Sequence, residues 1–175
     1  MKVNFIYIIK NFIIFFLIFS LVNLLMGLII HNPLPLWKRL YDTSIFSLIF
    51  VVMFFLIHTR KIKNIYKKYD NPYKVYQEME IISNYSLEEV KKALISNLNL
   101  EQIVIEDDKI CAVTKKNFSL SYNSWGENIE IKLINEFNNK FEYFISSKSK
   151  FSFTFNDLGN NLLVIDRIDK LIGSE

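Results

Sequence analysis

Two long apolar blocks open the chain, and almost everything after them alternates between apolar and polar positions. Residues 12–30 and 45–57 are nearly pure Ile, Leu, Phe, Val and Met. A helix needs about 20 apolar residues to cross a hydrocarbon core of about 30 Å. The first block meets that length, and it extends back through Phe5 and Ile9 if Lys10 snorkels. The second reaches it only by recruiting residues 41–44 and His58, so it is expected to stand upright or to thin the bilayer locally. Pro33 and Pro35 end the first helix and stiffen a tight turn, and Trp37 and Tyr41 suit the interfacial belt. Asn23 either hydrogen-bonds across to the second helix or faces solvent or lipid. The rival for the first block is a cleaved signal peptide, disfavoured by the length of the run and the lack of a small-residue cleavage site after it.

Downstream, Ser86 and Glu89 form an S-x-x-E capping box, with Tyr85 and Val90 spaced as a hydrophobic staple. Leu87, Val90, Leu94, Ile95 and Leu98 then fall on one face of a helix of about 13 residues. Period-two alternation follows: Ile103/Ile105 and Cys111/Val113 about a turn at Asp107-Asp108, then Phe118/Leu120/Tyr122 and Ile129/Ile131/Leu133. It continues in residues 141–145 after an Asn138-Asn139 turn, and in Phe151/Phe153/Phe155. Such alternation with short turns predicts an antiparallel sheet with one face covered. Leu162, Ile165, Ile168 and Ile172 close the chain with a second amphipathic helix, stopped at Gly173 and capped by Asn160 or Asn161. The expected fold class is α+β: a two-helix transmembrane hairpin (1–59), a basic juxtamembrane linker (60–80), and a small antiparallel-sheet domain (81–175) carrying an N-terminal and a C-terminal helix on one face.

Charge sharpens this division. Of the 21 basic and 18 acidic residues, nine basic and one acidic precede Asp70, leaving a net charge of −5 from there on. The acidic domain is a poor partner for nucleic acid, whose binding rests on phosphate neutralisation. Arg60, Lys61, Lys63, Lys67 and Lys68 form a collar directly after the second block, the pattern of a contact with anionic lipid. Residues 62–76 mix Lys with Tyr, which reads equally as an interfacial segment or as a cytosolic extension of the second helix. Lys and Arg counted near the helix ends predict a multi-pass protein of the cell (inner) membrane with two spans and both termini cytoplasmic. The connecting loop holds only Lys38 and Arg39.

Chemistry is sparse. Cys111 stands alone, so no internal disulfide forms, and a strand cysteine in an apolar run is ordinarily a small buried hydrophobe. No phosphate-cradling glycine loop, H-E-x-x-H, C-x-x-C or nucleophile elbow occurs. His31 and His58 fall at opposite predicted membrane boundaries and cannot share a metal. Asp107-Asp108 reads as a turn, and Glu127 has no partner that spacing identifies. No catalytic residue, cofactor or metal is expected. Gly126 suits a bend or bulge between strands, Trp125 can lie over the sheet edge, and Asp157 and Gly159 suit a tight turn.

Trp125-Gly126-Glu127, Ser146-Ser147-Lys148 and the stretch from Asp157 to Asn161 together resemble a group of small, uncharacterised bacterial membrane proteins. These carry an N-terminal apolar hairpin and a tail reading W-x-S-x-G-E, then S-K/R-P, then D-x-G-K-N. Ser149 stands where the group has Pro, and Asn160 where it has Lys. The resemblance implies the layout and no activity. Function is therefore expected to be that of a membrane-anchored, non-enzymatic interaction module, with Trp125, Phe151, Phe153 and Phe155 as candidate contacts and the bilayer plus a protein as partners. The alternatives are a lipid-sensing or lipid-handling protein, in which those phenylalanines and Lys148/Lys150 form a lip facing the bilayer, and a membrane-associated enzyme.

Overall fold

A computed structural model of the chain describes residues 5–30, 35–69, 72–118, 123–124, 126–150 and 159–173. It divides into two units, Met1–Lys63 and Asn64–Glu175.

The first unit is a pair of helices, α1 (Phe5–Ile30) and α2 (Leu36–Ile62), each long and apolar enough to cross a membrane. α1 is helical from Phe5, and the stretch of it apolar enough to cross a membrane, Ile8–Gly27, includes Lys10. α2 gains its length at both ends, opening after Pro35 and running to Ile62. Their seam is aromatic in the middle and polar towards the turn. The ring of Phe15 lies 5.1 Å from Phe54 and 5.9 Å from Phe50, and Phe19 lies 5.0 Å from Phe50. Asn23 Nδ2 donates to Thr43 Oγ1 at 3.1 Å, the interhelical alternative of the two. One turn further, Gly27 leaves room for the Arg39 guanidinium, which a Cβ there would meet at 1.8 Å.

The second unit is an α+β layer. Five strands, β1 (Gln77–Ser83), β2 (Leu100–Glu106), β3 (Lys109–Thr114), β6 (Glu127–Phe137) and β7 (Lys140–Ser149), form one antiparallel sheet in the order β1-β7-β6-β3-β2. Helices α3 (Leu87–Asn97) and α4 (Asn160–Ile172) lie on one face, their Val90, Leu94, Ile165 and Ile168 buried with Ile110, Ile129, Ile131, Tyr143 and Ile145 of the sheet. A two-stranded hairpin, β4 (Asn117–Phe118) and β5 (Asn123–Ser124), interrupts the meander between β3 and β6.

Local chemistry accounts for most boundaries. The capping box closes at α3, where the Ser86 N–H donates to the Glu89 carboxylate at 2.8 Å. Asn138 and Asn139 take φ of 49° and 60°, the pair of left-handed residues that a two-residue β-hairpin turn requires. Tyr143 is fully buried, and its hydroxyl donates to the Tyr85 carbonyl at 2.8 Å. Burial, with the carboxylates of Glu136 and Glu89, pushes that phenol up to about 12.

Four details depart from the sequence reading. Strand β1 precedes α3 and pairs with β7 along its whole length, so the sheet begins before the domain boundary drawn from the pattern. Ile95 points outward at 53% exposure, because its place against the core is taken by Ala93 and Leu98. Asn161 does not cap α4. Gly159, at φ 79°, occupies the N-cap, while the buried Asn161 amide accepts from Ser147 Oγ at 2.8 Å and donates to the Val75 carbonyl. The strand expected at Phe118/Leu120/Tyr122 is represented by β4 and β5, its central residues lying outside the described ones. Trp125 and the Phe151/Phe153/Phe155 series also lie outside them.

Candidate functional site

Three places in the second unit gather chemistry. The first is the junction of β3 with β6. Glu127 is only 2% exposed, and its carboxylate accepts from Thr114 Oγ1 at 2.5 Å and from the Ser124 hydroxyl. Thr114 Oγ1 accepts in turn from the Glu127 N–H at 2.8 Å, and Ser124 Oγ from the Gly126 N–H at 2.9 Å. Gly126 is obligatory here: its φ is 96°, and a Cβ would fall 2.7 Å from the Thr114 carbonyl oxygen. These bonds knot the end of one strand to the start of another. A buried carboxylate that accepts from two hydroxyls, each held in turn by a backbone N–H, is a structural device, since both of its oxygens are committed.

The second is the sheet face opposite the helices. Register places Glu78, Ser146, Glu130, Cys111 and Val104 in one row across the strands, and Glu80, Phe144, Lys132, Lys109 and Glu106 in the next. Both helices lie on the other side, and no helix among the described residues of this unit packs here. Val104, Tyr76 and Ile82 are about two-fifths exposed. Tyr76, Val104, Cys111 and Phe144 line a shallow depression of about 410 Å³ over this face. Cys111, expected as a buried hydrophobe, is instead half-buried on this face with Val113, because Ile110 and Ala112 take the core side of β3; desolvation pushes its thiol up, so it is a weak nucleophile at neutral pH.

The third is a cleft of about 480 Å³ on the helix side, between α4, the end of α3 and the end of β3. Leu98, Leu163 and Val164 supply its apolar lining, and Lys115, Arg167 and Lys170 its cations. Asp166 also lines it, its buried carboxylate accepting from Lys170 Nζ at 2.6 Å. Sequence reasoning missed this cleft. Its one linear trace is the i, i+3 spacing of Arg167 and Lys170 beside the apolar stripe of α4.

The collar is split between the units. Arg60 and Lys61 close the last turn of α2 and Lys63 follows it, while Lys67 and Lys68 sit in a single 3₁₀ turn, Tyr66–Lys68, of the second unit. Lys68 is ion-paired with Asp169 of α4. Tyr69 packs against the domain core, and burial together with the carboxylates of Asp166 and Asp169 raises its phenol well above the usual range. Tyr73 is buried as well. The Lys/Tyr-rich segment after α2 is thus partly a seam of the domain. Among the described residues no group of three or more His, Cys, Asp or Glu converges to hold a metal ion.

No family model matches this chain, and no curated protein matches it at a significant level.

Proposed function

We propose that this chain is a membrane-anchored, non-enzymatic interaction module. In this reading α1 and α2 span the membrane as a hairpin with both termini cytoplasmic, and the collar contacts anionic lipid. The open sheet face then receives a partner protein. The observation that carries the reading is a face with an exposed Val104 and half-buried Cys111 and Phe144 set among charged residues, on a sheet whose other side is filled by α3 and α4. Glu78, Glu80, Glu106, Glu130 and Glu142 outnumber Lys109, Lys132 and Lys148 there, which favours a partner segment carrying basic and apolar residues.

A photo-crosslinking residue at 104 or 144, in the full chain and its native membrane, is expected to yield one discrete protein adduct. The same residue at 140, in the β6–β7 turn, should not yield it. Reversing Glu106 and Glu130 to Lys should remove the adduct. Adducts that survive the reversal, or that come equally from 140, would overturn the reading; lipid adducts from 104 and 144 would move the assignment to lipid handling. Orientation is tested separately, with Cys111→Ser as the background. A cysteine placed at Lys38 should react with an impermeant reagent in intact cells, and one at Lys140 should not.

A further inference from the structure

The helix-side cleft goes beyond this reading, because it lies on the layer opposite the proposed docking face and has different chemistry. Small-molecule pockets typically enclose about 300–1,000 Å³, are mostly apolar, and carry a few polar groups that fix orientation. At about 480 Å³ the cleft falls in that range. Its lining joins Leu98 and Val164, which are 7% and 6% exposed, to three cations and one carboxylate. Lys170 already neutralises Asp166. Neither Lys115 nor Arg167 makes an ion pair with any described residue, although Glu101 acts on Lys115, so the lining residues themselves carry three cations against one carboxylate. Those charges stand at the edge of an apolar surface, in a domain whose net charge from Asp70 onward is −5. A concentration of cations against the sign of the domain is a local field for an anion.

We infer that the cleft between α4 and the α3/β3 end binds a single-chain anionic amphiphile, an acyl carboxylate or an alkyl phosphate. Arg167 takes the headgroup in its planar fork, which matches carboxylate and phosphate oxygens in pairs. Lys115 adds a second charge from the end of β3, where its backbone N–H is pinned to the Asn99 carbonyl at 2.9 Å. Leu98, Leu163 and Val164 cover the start of the chain. A purely apolar ligand would leave Arg167 unanswered, and a free inorganic anion would leave the part-exposed Leu163 wet. The amphiphile satisfies both halves of the lining. Carboxylate and phosphate heads share this chemistry, and comparing them separates a free fatty acid from a lysophospholipid-like source.

The test uses the full chain in nanodiscs of zwitterionic lipid, with Leu and Val methyl groups labelled for NMR. Dodecyl phosphate and dodecanoate are titrated against monododecanoylglycerol, which has the same chain without charge, and against inorganic phosphate. Saturable shifts are expected at Leu98, Leu163 and Val164 with one or both anionic amphiphiles, and none with inorganic phosphate. The uncharged analogue should bind at least tenfold more weakly. Arg167→Glu combined with Lys115→Glu should weaken the anionic ligand at least tenfold, Arg167→Gln by less, and Val164→Trp should fill the floor and abolish the shifts. The methyl spectrum itself reports whether each variant is folded, and Arg167→Gln, at an exposed position, retains the test should the double reversal unfold. Equal binding of the uncharged analogue, loss of less than twofold on charge reversal in a folded protein, or shifts confined to Val104 and Val113 would each overturn the inference.

Discussion

Gly126 and Glu127 tie the end of β3 to the start of β6. The buried Glu127 carboxylate is held by hydroxyls from β3 and β5, and it can be reached only because the backbone at Gly126 turns left-handed and passes within van der Waals range of Thr114. Gly126→Ala must place a Cβ 2.7 Å from a carbonyl oxygen at a φ of 96°, which side chains rarely adopt. It should therefore destabilise the domain by more than about 1 kcal/mol, the upper end of what the same substitution gains at a site whose backbone suits alanine. Thermal melts of a fragment comprising residues 64–175 would show it, and an unchanged melting temperature would mean that the turn relaxes freely. The glycine was legible in the sequence as a bend, whereas the role of Glu127 was not. Its partners Thr114 and Ser124 are ordinary strand residues, brought to it by a register that no spacing encodes.

At the scale of elements, α3 was the most legible part of the chain because its signal is local. Ser86 and Glu89 are three residues apart, and they meet as the capping box predicts. Ser86→Ala should cost about 1 kcal/mol, and Glu89→Ala less. The Ser86 N–H and hydroxyl hold the Glu89 carboxyl below its ordinary value. A depressed folded-state value means that this contribution is present above the unfolded carboxylate range and is lost as pH falls through the folded one. The difference in melting temperature between the wild-type fragment and Glu89→Gln should therefore shrink below about pH 4. A difference that persists in acid would mean that Glu89 does not act through its carboxylate charge. Strand β1 escaped notice for the opposite reason. Its inward set, Gln77, Met79, Ile81 and Ser83, is polar at both ends, and Ile82 breaks the alternation, so only pairing with β7 defines it. The cleft escaped too, since Leu98, Lys115 and Leu163 come from three separate parts of the chain.

For the whole molecule, the collar is the feature whose role must be apportioned between lipid and domain. Lys68 is engaged with Asp169, and Tyr69 packs on the core, so a fragment meant to fold has to begin before Tyr66. A fragment of residues 60–175 meets this condition and keeps all five cations. Each cation near an anionic surface contributes about 1 kcal/mol, and the attraction fades within a Debye length as salt rises. The fragment should co-sediment with phosphatidylserine vesicles at low salt, release at high salt, and ignore phosphatidylcholine. Replacing Arg60, Lys61 and Lys63 by Gln should then reduce partitioning by about 100-fold, the equivalent of roughly 3 kcal/mol. Lys68→Gln should have a smaller effect than any of these three, because its ammonium already faces a carboxylate and must leave Asp169 to meet a lipid. If the triple replacement binds as well as the parent, the collar is not the lipid contact. The Phe151/Phe153/Phe155 series is then the segment to substitute next, and lipid handling displaces the interaction module as the better reading.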